Sequence, residues 1–477
     1  MCPPSSPTTY PSSPCDPPPL RKGLVRMTTT LVPPGPRGHP VLGSIREIQR
    51  DNVSAFMEAF RHHGDIVNFR GPLRINLLAH PDYVQHVLRD QHKRYPRPRK
   101  VQGCLSTIVG DGLVAAEGTS WLRSRRLTQP AFHRDILRRF GDSFTASTAE
   151  LLDGWERRAR DGEPLDIKSE MMHLSLANLA RALFRTEWTD EVSRIEPAVQ
   201  EALGFTHRRM TSPVDPLKFP SAARTRFRGA LETINSLLYP MVAERRRDGG
   251  GDDLVSLLID AVDPESGGMF TDEQIRDEVS GFFVAGHETV STALSWTWYL
   301  LSLNPESRRR LQAEVDEVLA GRVPTVDDLP KLTYTTMVLQ ESMRLYPPIF
   351  VYMRCAAEDD VIGGYHIPEG RWVVVCPYVT HRHPEFWDNP EGFEPERFTP
   401  ENSANRHRMA YLPFGAGPRK CIGDSFAMLQ MPLVVAMIAQ RFRLDLVEGQ
   451  QVFPEPAISL RPRDPLMMWL RPNEETP

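Results

Sequence analysis

The sequence predicts a mainly α fold with a smaller β part, built as a single large domain. Helical patterns of apolar residues fill the stretch from 120 to 345, and short strand-like alternations lie on either side of it. Neither an internal repeat nor a change of composition divides the chain after residue 33. We therefore expect one helical body, with strands from both ends of the chain beside it.

The first 32 residues are the exception. The stretch "MCPPSSPTTYPSSPCDPPPL" is rich in proline and has neither apolar periodicity nor the apolar middle segment of a secretory signal. We expect a disordered Pro/Ser-rich tail over 1–32 and the folded domain over 33–477. Because Met27 opens "MTTTLVPPGPRG", translation starts at either Met1 or Met27.

Composition limits the function classes. The chain has 477 residues, a net charge of −4 and a pI of about 6.4, which does not favour nucleic acid as a partner. No apolar run approaches the ~18 residues that cross a bilayer, so no membrane anchor is expected. The cysteines are scattered without CxxC pairs, which argues against a disulfide framework or a zinc ribbon and favours a reducing cytoplasm; they are Cys2, Cys15, Cys104, Cys355, Cys376 and Cys421.

The predicted elements follow in order along the chain. "DIVNFR" and "RINLLA" predict strands, and "PDYVQHVLRD" predicts a helix after them. Long helices come next, including one that runs from "DEQIRDEV" through "SWTWYLLSLNP" and two more in "PESRRRLQAEVDEVLAG" and "YTTMVLQESMRLYPP". Strands return in "DVIGGYHIPEGRWVVVCPYVTHR", and "AMLQMPLVVAMIAQRF" predicts a last apolar helix.

One cysteine stands in an unusual place, within "FGAGPRKCIG" at residues 414–423. Structural cysteines normally lie buried as small apolar side chains, whereas Cys421 follows a loop of glycine and proline and precedes the last apolar helix. Unpaired N–H groups at a helix start favour negative charge and lower the pKa of a thiol. A thiolate is either a nucleophile or a metal ligand, and the loop alone leaves both open.

A second motif, "AGHET" at residues 285–289, lies in the middle of the most apolar helix. Gly286 costs about 1 kcal/mol there relative to alanine. Glu288 and Thr289 place a carboxylate and a hydroxyl side by side, and a carboxylate in a buried helix needs a reason. An incidental glycine beside a solvated acid is the alternative interpretation.

Several charged pairs are weak signals when taken singly. "ESMR" puts Glu341 and Arg344 three residues apart on one helix face, within ion-pair reach. "FEPERF" offers Arg397 as a third partner, and "WLRSR" sets Trp121 and Arg125 four residues apart. Each pattern is common in helical proteins, so the order in which they occur matters more than any one of them.

That order resembles a known family. The succession W-x3-R, A-G-x-E-T, E-x2-R, P-E-R-F and F-x2-G-x-R-x-C-x-G resembles the cytochrome P450 family of haem-thiolate monooxygenases, over residues 33–470. The resemblance implies the cytochrome P450 fold, with a catalytic domain over 33–477 and haem b between the long central helix and the cysteine-ligand helix. It also implies O2 as co-substrate and electrons from NAD(P)H through external redox partners.

The resemblance assigns the cofactor site as well. Cys421 would be the proximal thiolate ligand of the haem iron, which favours cleavage of the O–O bond. Phe414 would shield its sulfur, and Gly417 and Gly423 would let the backbone approach the porphyrin. The residues expected to hold haem propionates are Trp121, Arg125, Arg354 and Arg419.

On the opposite side of the haem, Glu288 and Thr289 would be the catalytic residues that relay protons to bound dioxygen. Many members of the family carry Asp at the position of Glu288. His287 is expected to be a helix-packing residue. Glu341, Arg344 and Arg397 would form a structural ion-pair network, and the histidines expected to be solvated in loops are His62, His63, His381 and His383.

By the same resemblance the substrate pocket would be lined by the loop around 97–113 and by 205–212, 282–285, 349–352 and 458–460. Apolar walls favour a hydrophobic substrate, because nothing there would pair a buried charge. A terpenoid of bacterial secondary metabolism is the first expectation, with fatty-acid or polyketide chains behind it. The wall residues are Leu105, Ile108, Val109, Phe282, Phe283, Ile349, Phe350 and Ile458.

Electrons are expected from a ferredoxin and its reductase, because no flavin or nicotinamide domain follows the haem domain in this sequence. Residues 121–139 carry many arginines and one acid, Asp135, which would suit an acidic ferredoxin. The protein is expected to be a cytoplasmic monomer. The run consists of Arg123, Arg125, Arg126, Arg134, Arg138 and Arg139.

Other functions stay open at this point. A haem-thiolate peroxygenase or isomerase would work without a reductase, but the intact pair Glu288–Thr289 argues against it. A haem-binding protein without turnover would have no use for proton-delivery residues. Substrate-dependent consumption of NADPH with a surrogate ferredoxin would separate these alternatives from a monooxygenase.

Overall fold

The start of the described chain is paired with a hairpin. The computed structural model describes residues 31–72, 74–185, 190–212, 214–249 and 251–473. Of the predicted tail only Leu31 and Val32 belong to this part, and residues 1–30 lie outside it. The carbonyl of Leu31 accepts the N–H of His366 at 3.0 Å, and Leu31 forms a parallel bridge with Tyr365. The chain therefore contacts the body just before the predicted boundary at residue 33.

The mainly α prediction is confirmed. Over the described residues the helices are α1 (Ile45–Arg50), α2 (Asn52–His63), α3 (Pro81–Gln85), α4 (Arg99–Val109), α5 (Gly118–Thr128), α6 (Arg134–Leu137), α7 (Gly141–Asp161), α8 (Ile167–Phe184), α9 (Asp190–Thr211), α10 (Ala222–Asp248), α11 (Leu254–Ile259), α12 (Asp272–Leu303), α13 (Pro305–Leu319), α14 (Thr333–Leu345), α15 (Pro377–Thr380), α16 (Pro400–Ser403) and α17 (Asp424–Arg441). The strands are β1 (Ile66–Phe69), β2 (Ile75–Leu78), β3 (Leu165–Asp166), β4 (Tyr352–Cys355), β5 (Asp360–Ile362), β6 (Tyr365–Ile367), β7 (Trp372–Val375), β8 (Phe442–Leu446), β9 (Pro454–Pro456), β10 (Leu460–Pro462) and β11 (Met467–Pro472).

The long helix α12 organises the body. A capping box fixes its start, because Thr271 and Gln274 each accept the other's N–H through their side chains, at 3.1 and 3.2 Å. It ends at Leu303, two residues before Pro305, which begins α13. Most of its length is buried, and the two largest apolar clusters both contain its side chains, as expected of a helix that is apolar on nearly every face.

Gly286 has a packing role within α12. A Cβ at this position would lie 3.2 Å from the side chain of Leu179 on α8. The missing side chain therefore lets α8 approach α12 closely, which offsets the loss of helix propensity at a glycine.

Strands from both ends of the chain share one sheet, as predicted. Its order is β1-β2-β7-β4, with β2 parallel to β7 and the other two pairings antiparallel. The register sets Arg354 of β4 opposite Val373 of β7. A second sheet has the order β3-β11-β8, and β5-β6 and β9-β10 form two-stranded hairpins. The first sheet thus anchors the strand that carries one of the predicted haem residues.

The predicted ion-pair network is present. Arg344 is fully buried, with Nε at 2.6 Å and Nη2 at 2.8 Å from the carboxylate of Glu341, and Nε of Arg397 lies 3.3 Å from the same carboxylate. Arg344 also donates to three backbone carbonyls between residues 381 and 392. The network therefore ties α14 to the chain that leads to the cysteine loop.

The prediction that His381 and His383 are solvated is wrong. Both are buried, and Nε2 of His381 accepts the N–H of Leu412 at 2.7 Å. His383 lies 2.9 Å from the carboxylate of Asp65. Burial lowers the pKa of His381 to about 3, so this side chain is a neutral part of the fold.

Candidate active site

The cysteine loop is closed by backbone hydrogen bonds just before α17. The N–H of Cys421 donates to the carbonyl of Phe414 at 2.9 Å, and that of Lys420 donates to Gly417 at 3.1 Å. Because α17 begins at Asp424, the predicted position of Cys421 at the entrance of a helix is confirmed. The loop fixes the position of the sulfur largely through its own backbone.

The structure shows a packing role for Gly417, whereas the sequence analysis predicts that this glycine lets the backbone approach the porphyrin. Its φ is +70°, and a Cβ there would lie 2.0 Å from the carbonyl oxygen of Leu88. The glycine therefore lets the loop pack onto the π-helical turn His86–Asp90. Gly423 agrees with the prediction, because the nearest atom to an added Cβ would be the Sγ of Cys421 at 3.9 Å, and the backbone beside the sulfur is otherwise open.

The side chain of Cys421 faces an interior space. The residue is exposed, unlike the other three described cysteines, yet the surrounding atoms are dense and this burial raises the pKa of its thiol. The N–H of Gly423 and nearby cationic side chains lower that pKa, but they do not outweigh the burial. The predicted lowering by an N–H group at the helix start is thus present, but burial outweighs it, and a bound cation would stabilise the negative sulfur.

A cluster of cations lies next to this loop. Arg419 pairs with Glu117 at 2.6 Å, and Arg97 lies 3.8 Å from the same carboxylate. Burial, followed by repulsion from Arg97 and Arg419, lowers the pKa of Arg354 to about 10. Burial also lowers the pKa of Arg419 to about 10, against the attraction of Glu117. Three guanidinium groups thus surround one carboxylate in a largely buried place.

Helix α5 carries the remaining predicted propionate residues. The guanidinium of Arg419 lies over the ring of Trp121, 4.5 Å from its centroid. Arg125 donates from Nη1 to the carbonyl of Lys420 at 3.1 Å. The structure therefore brings Trp121, Arg125 and Arg419 together at the cysteine loop, while Arg354 approaches from β4.

These residues fit haem. A buried cation is costly unless an anion pairs with it, so the guanidinium groups in excess over Glu117 call for an anionic ligand. Haem presents paired propionate groups on one edge, and arginine forks suit carboxylates. Cys421 would supply a sulfur ligand for iron beside the same cluster.

On α12, Ala285 and Thr289 face an interior space. Ala285 is exposed in the middle of a helix that is otherwise largely buried, and Thr289 follows it by about one turn. The hydroxyl of Thr289 donates to the carbonyl of Ala285 at 2.8 Å, so its oxygen stays free to accept a hydrogen bond. A group bound in this space would meet a hydroxyl at a fixed position.

Glu288 points elsewhere. It is 3% exposed, and its Oε1 accepts the hydroxyl of Ser459 at 2.7 Å. Nη1 of Arg461 lies 3.8 Å from the same oxygen. Arg461 lies on β10, and Ser459 is the residue just before this strand. The two adjacent residues of the motif therefore point in different directions: Glu288 faces the β9–β10 hairpin, and Thr289 faces the interior space.

His287, between Gly286 and Glu288, is fully buried. Its Nδ1 lies 2.8 Å from the carbonyl of Phe283, and burial lowers the pKa of the imidazole. It therefore lies in the helix packing, where the sequence analysis places it.

Comparison with known proteins identifies the family. A sequence model described as Cytochrome P450 matches residues 33–468. The chain belongs to the cytochrome P450 family. It is accordingly a haem-dependent monooxygenase that takes a hydrophobic substrate and O2, with electrons from NAD(P)H supplied through redox partners.

Two of the relatives of this P450 come from Streptomyces. Cyclooctatin synthase of Streptomyces melanosporofaciens is 36% identical over 443 residues, which cover 92% of this chain and 95% of the relative. Pentalenene oxygenase of Streptomyces avermitilis is 34% identical over 88% of this chain and 92% of the relative. The solved structure of the haem domain of cytochrome P450DA superposes with a TM-score of 0.84 at 28% identity, over 93% of this chain and 98% of that one.

The predicted apolar walls of the P450 gather only in part. Segment 97–113, predicted as a loop, is mostly the helix α4. Cys104 of α4 and Met210 of α9 lie in one apolar cluster, and Met353 and Ile458 pack against it. Most of the predicted wall residues are instead buried in the core, namely Ile108, Val109, Phe282, Phe283 and Phe350.

The predicted basic face of the P450 is partly neutralised. Arg126 lies 3.0 Å from the carboxylates of both Asp263 and Glu265. Arg138 also pairs with a carboxylate, that of Asp327. The arginines of this run that are exposed and have no carboxylate partner within the described residues are Arg134 and Arg139.

Four residues of the site were given no role by the sequence analysis: Arg97, Glu117, Ser459 and Arg461. Arg97 and Ser459 lie within the predicted pocket segments 97–113 and 458–460, but neither was singled out. All four lie in stretches without a recognisable motif, such as "YPRPRK" and "AISLRPRD", and several of their partners are hundreds of residues away. The one available signal was the number of cations around Arg97 without a neighbouring acid.

Across the described residues, no helix is both long and apolar enough to span a bilayer.

Proposed function

We propose that this P450 inserts one oxygen atom into a cyclic terpenoid, at a haem held by Cys421 and the arginine cluster. The observation that carries the site is the exposed Cys421 beside a cluster of three guanidinium groups, two of which face the carboxylate of Glu117. Bound haem supplies the activation of O2 with electrons from the redox partner. The residues that would hold it are Trp121, Arg125, Arg354, Phe414, Arg419, Cys421 and Gly423.

Thr289 and Glu288 would manage the protons of the reaction. The hydroxyl of Thr289 is held at the edge of the interior space, where it can hold a proton donor in place. Glu288 is linked to the hairpin through Ser459 and Arg461, and Arg461 reaches the partly exposed Glu455 at 2.9 Å. Glu288 would therefore exchange protons with the solvent side, and Thr289 would present them inside.

The substrate class is supported by the walls and by the relatives. The cluster around Cys104, Met210 and Ile458 has apolar walls, so it rewards burial of a hydrocarbon surface. The names of pentalenene oxygenase and cyclooctatin synthase point to cyclic skeletons. A cyclic terpenoid of bacterial secondary metabolism is therefore favoured over linear fatty-acid or polyketide chains.

A ferredoxin, reduced by its reductase, would dock beside the cysteine helix. Helix α6, which carries Arg134, packs through Leu137 into the same cluster as Phe426 and Leu429 of α17. The unpaired charges of Arg134 and Arg139 would attract an acidic partner to this face. A monomeric state and a cytoplasmic location remain predictions from the sequence.

The test is a panel of ligands added to the haem-loaded protein. We expect cyclic terpene hydrocarbons and alcohols to shift the haem from low to high spin at lower concentration than linear fatty acids do. With NADPH, ferredoxin and reductase, the same compounds are expected to gain one oxygen atom, measured by mass spectrometry. A preference for linear acids would overturn the substrate class, and turnover with peroxide alone would overturn the electron route.

A further inference from the structure

Two neighbouring carboxylates of α12 hold the segment 110–117. Oδ2 of Asp277 accepts the N–H of Asp111 at 2.7 Å, and Oε2 of Glu278 accepts the N–H of Leu113 at 2.9 Å. These bonds join the end of α4 to the first half of the central helix. Hydrogen bonds to an ionised acceptor are stronger than those between neutral groups.

The local sequence allows this close contact. Gly110 has a φ of +61°, and a Cβ there would lie 2.1 Å from the carboxylate of Asp277. A Cβ at Gly112 would lie 2.9 Å from the backbone carbonyl of the same residue. The stretch "GDG" therefore lets the chain reach the two carboxylates, and larger residues would push it away.

The held segment carries part of the haem site. The carbonyl of Val114 accepts Nη1 of Arg97 at 2.5 Å, and Glu117 at the end of the segment pairs with Arg419. The side chain of Ser124 on α5 also acts on the carboxylate of Glu278, whose pKa it lowers. Glu278 thus interacts with both the segment and the helix that bears Trp121 and Arg125.

The charge of Glu278 is poorly compensated. The residue is 1% exposed, and the nearby charge of Asp277 has the same sign. The guanidinium of Arg276 lies 3.0 Å from the carboxylate of Asp277 and lowers its pKa. The negative charge of Asp111 acts on the same carboxylate and raises its pKa. Towards Glu278, α5 presents the hydroxyl of Ser124 and the segment presents an N–H group.

We propose that Glu278 is a positioning residue of the haem site, which holds segment 110–117 and α5 in place when ionised and releases them when it takes up a proton from solvent. The inference deepens the proposed haem site and rests on it. Burial raises the pKa of Glu278 to about 7, against the N–H of Leu113 and the hydroxyl of Ser124, which lower it. The protonated acid is a weaker acceptor for the N–H of Leu113, so the segment loosens as the pH falls.

The experiment measures the rate of haem transfer from the haem-loaded protein to excess apomyoglobin at a series of pH values. The reduced carbon-monoxide spectrum first shows that the haem is bound through a thiolate, and failure at this step would count against the proposed haem site alone. We expect faster haem loss at low pH with a midpoint near the pKa of Glu278. Between about one unit above and one unit below that pKa, the protonated fraction rises about tenfold, and the rate of haem loss is expected to rise by up to the same factor.

Glu278→Gln is expected to lose haem at one rate across this range, equal to the rate of the wild type at low pH, because the amide stays neutral. Glu273→Gln is the matched control, since Glu273 is exposed on the same helix. Ser124→Ala is a second variant, which should move the midpoint to higher pH by removing a bond to the ionised form. Parallel profiles for the wild type and Glu278→Gln, or an unmoved midpoint in Ser124→Ala, would overturn the proposal.

Discussion

The cysteine side and the α12 side of the site are built in different ways. On the cysteine side the loop closes on its own backbone, and Arg344 behind it divides its N–H groups between Glu341 and backbone carbonyls. On the α12 side, Ala285 is exposed in mid-helix, and Nε2 of His287 is buried with no hydrogen-bond partner among the described residues. The backbone of the cysteine loop and the Arg344 network are thus held by contacts within the chain, whereas Ala285 of α12 leaves an apolar surface uncovered.

Because of this difference, we expect substitutions on the two sides to have different effects. Substitutions on the cysteine side are expected to remove cofactor binding or the fold, because they leave a buried charge or a metal without its partner. Substitutions on the α12 side are expected to change the outcome of the reaction in a protein that still folds.

The largest effect is expected at Cys421. Cys421→Ser should abolish the thiolate signature of the reduced carbon-monoxide complex, because the other described cysteines are buried elsewhere. Cys355→Ser and Cys376→Ser are the controls and should keep the normal Soret position. If Cys421→Ser kept the thiolate signature and one of the two controls lost it, the iron ligand would be that other cysteine.

Glu341→Ala comes next. Removing the carboxylate leaves Arg344 fully buried without its partner, which costs about 3–5 kcal/mol. Little soluble, haem-loaded protein is expected, measured by expression yield and thermal unfolding. Glu317→Ala, at an exposed position of α13, should be harmless. A stable Glu341→Ala protein would show that the two sides are less different than proposed.

Thr289→Ala should leave the fold and substrate binding intact and uncouple the reaction. A positioned proton donor contributes roughly 10²-fold or more to a proton transfer, so product per NADPH should fall steeply while hydrogen peroxide rises. Thr297→Ala is the matched control, because its hydroxyl makes the same bond to a helix carbonyl, at 2.8 Å, but is fully buried. Equal coupling in both variants would remove Thr289 from the proton path.

The smallest effect is expected on the docking face. Arg134→Glu and Arg139→Glu should slow reduction by ferredoxin at low salt, and the difference should fade as salt shortens the range of charge interactions to ~10 Å at 0.1 M. Arg126→Glu would instead place a third acid beside Asp263 and Glu265, so its main effect should be on stability. The measurement is the stopped-flow rate of reduction by ferredoxin at several salt concentrations. Rates equal to that of the wild type in Arg134→Glu and Arg139→Glu would indicate another docking face.

What the sequence could predict depends on the distance between partners. The cysteine loop, the helix α12 and the pair Glu341–Arg344 were recognisable because each lies within a short stretch with fixed spacing. Glu117 pairs with Arg419, which is 302 positions away in the chain. A contact between residues so far apart leaves no recognisable spacing pattern in the sequence.

The same limit explains the errors about charge and burial. A count of arginines over 121–139 could not show that Arg126 is neutralised by acids from residues 263 and 265. The burial of His381 depends on contacts with Arg344 and Leu412 from other parts of the chain, so the local sequence does not predict it. The fold class needed only local periodicity, whereas the electrostatics of the site needed the assembled structure.

The arginine cluster also has a consequence for assembly. Arg97, Arg354 and Arg419 come from distant parts of the chain and repel one another, and only Glu117 among the described residues offsets their charge. Because the propionates of haem would supply further negative charge, we expect haem binding to favour closure of this region during folding. When haem is scarce, we expect more chains to stay open to chaperones and proteases. The supply of cofactor would thus limit the amount of protein in the cell, in addition to the fraction that is active.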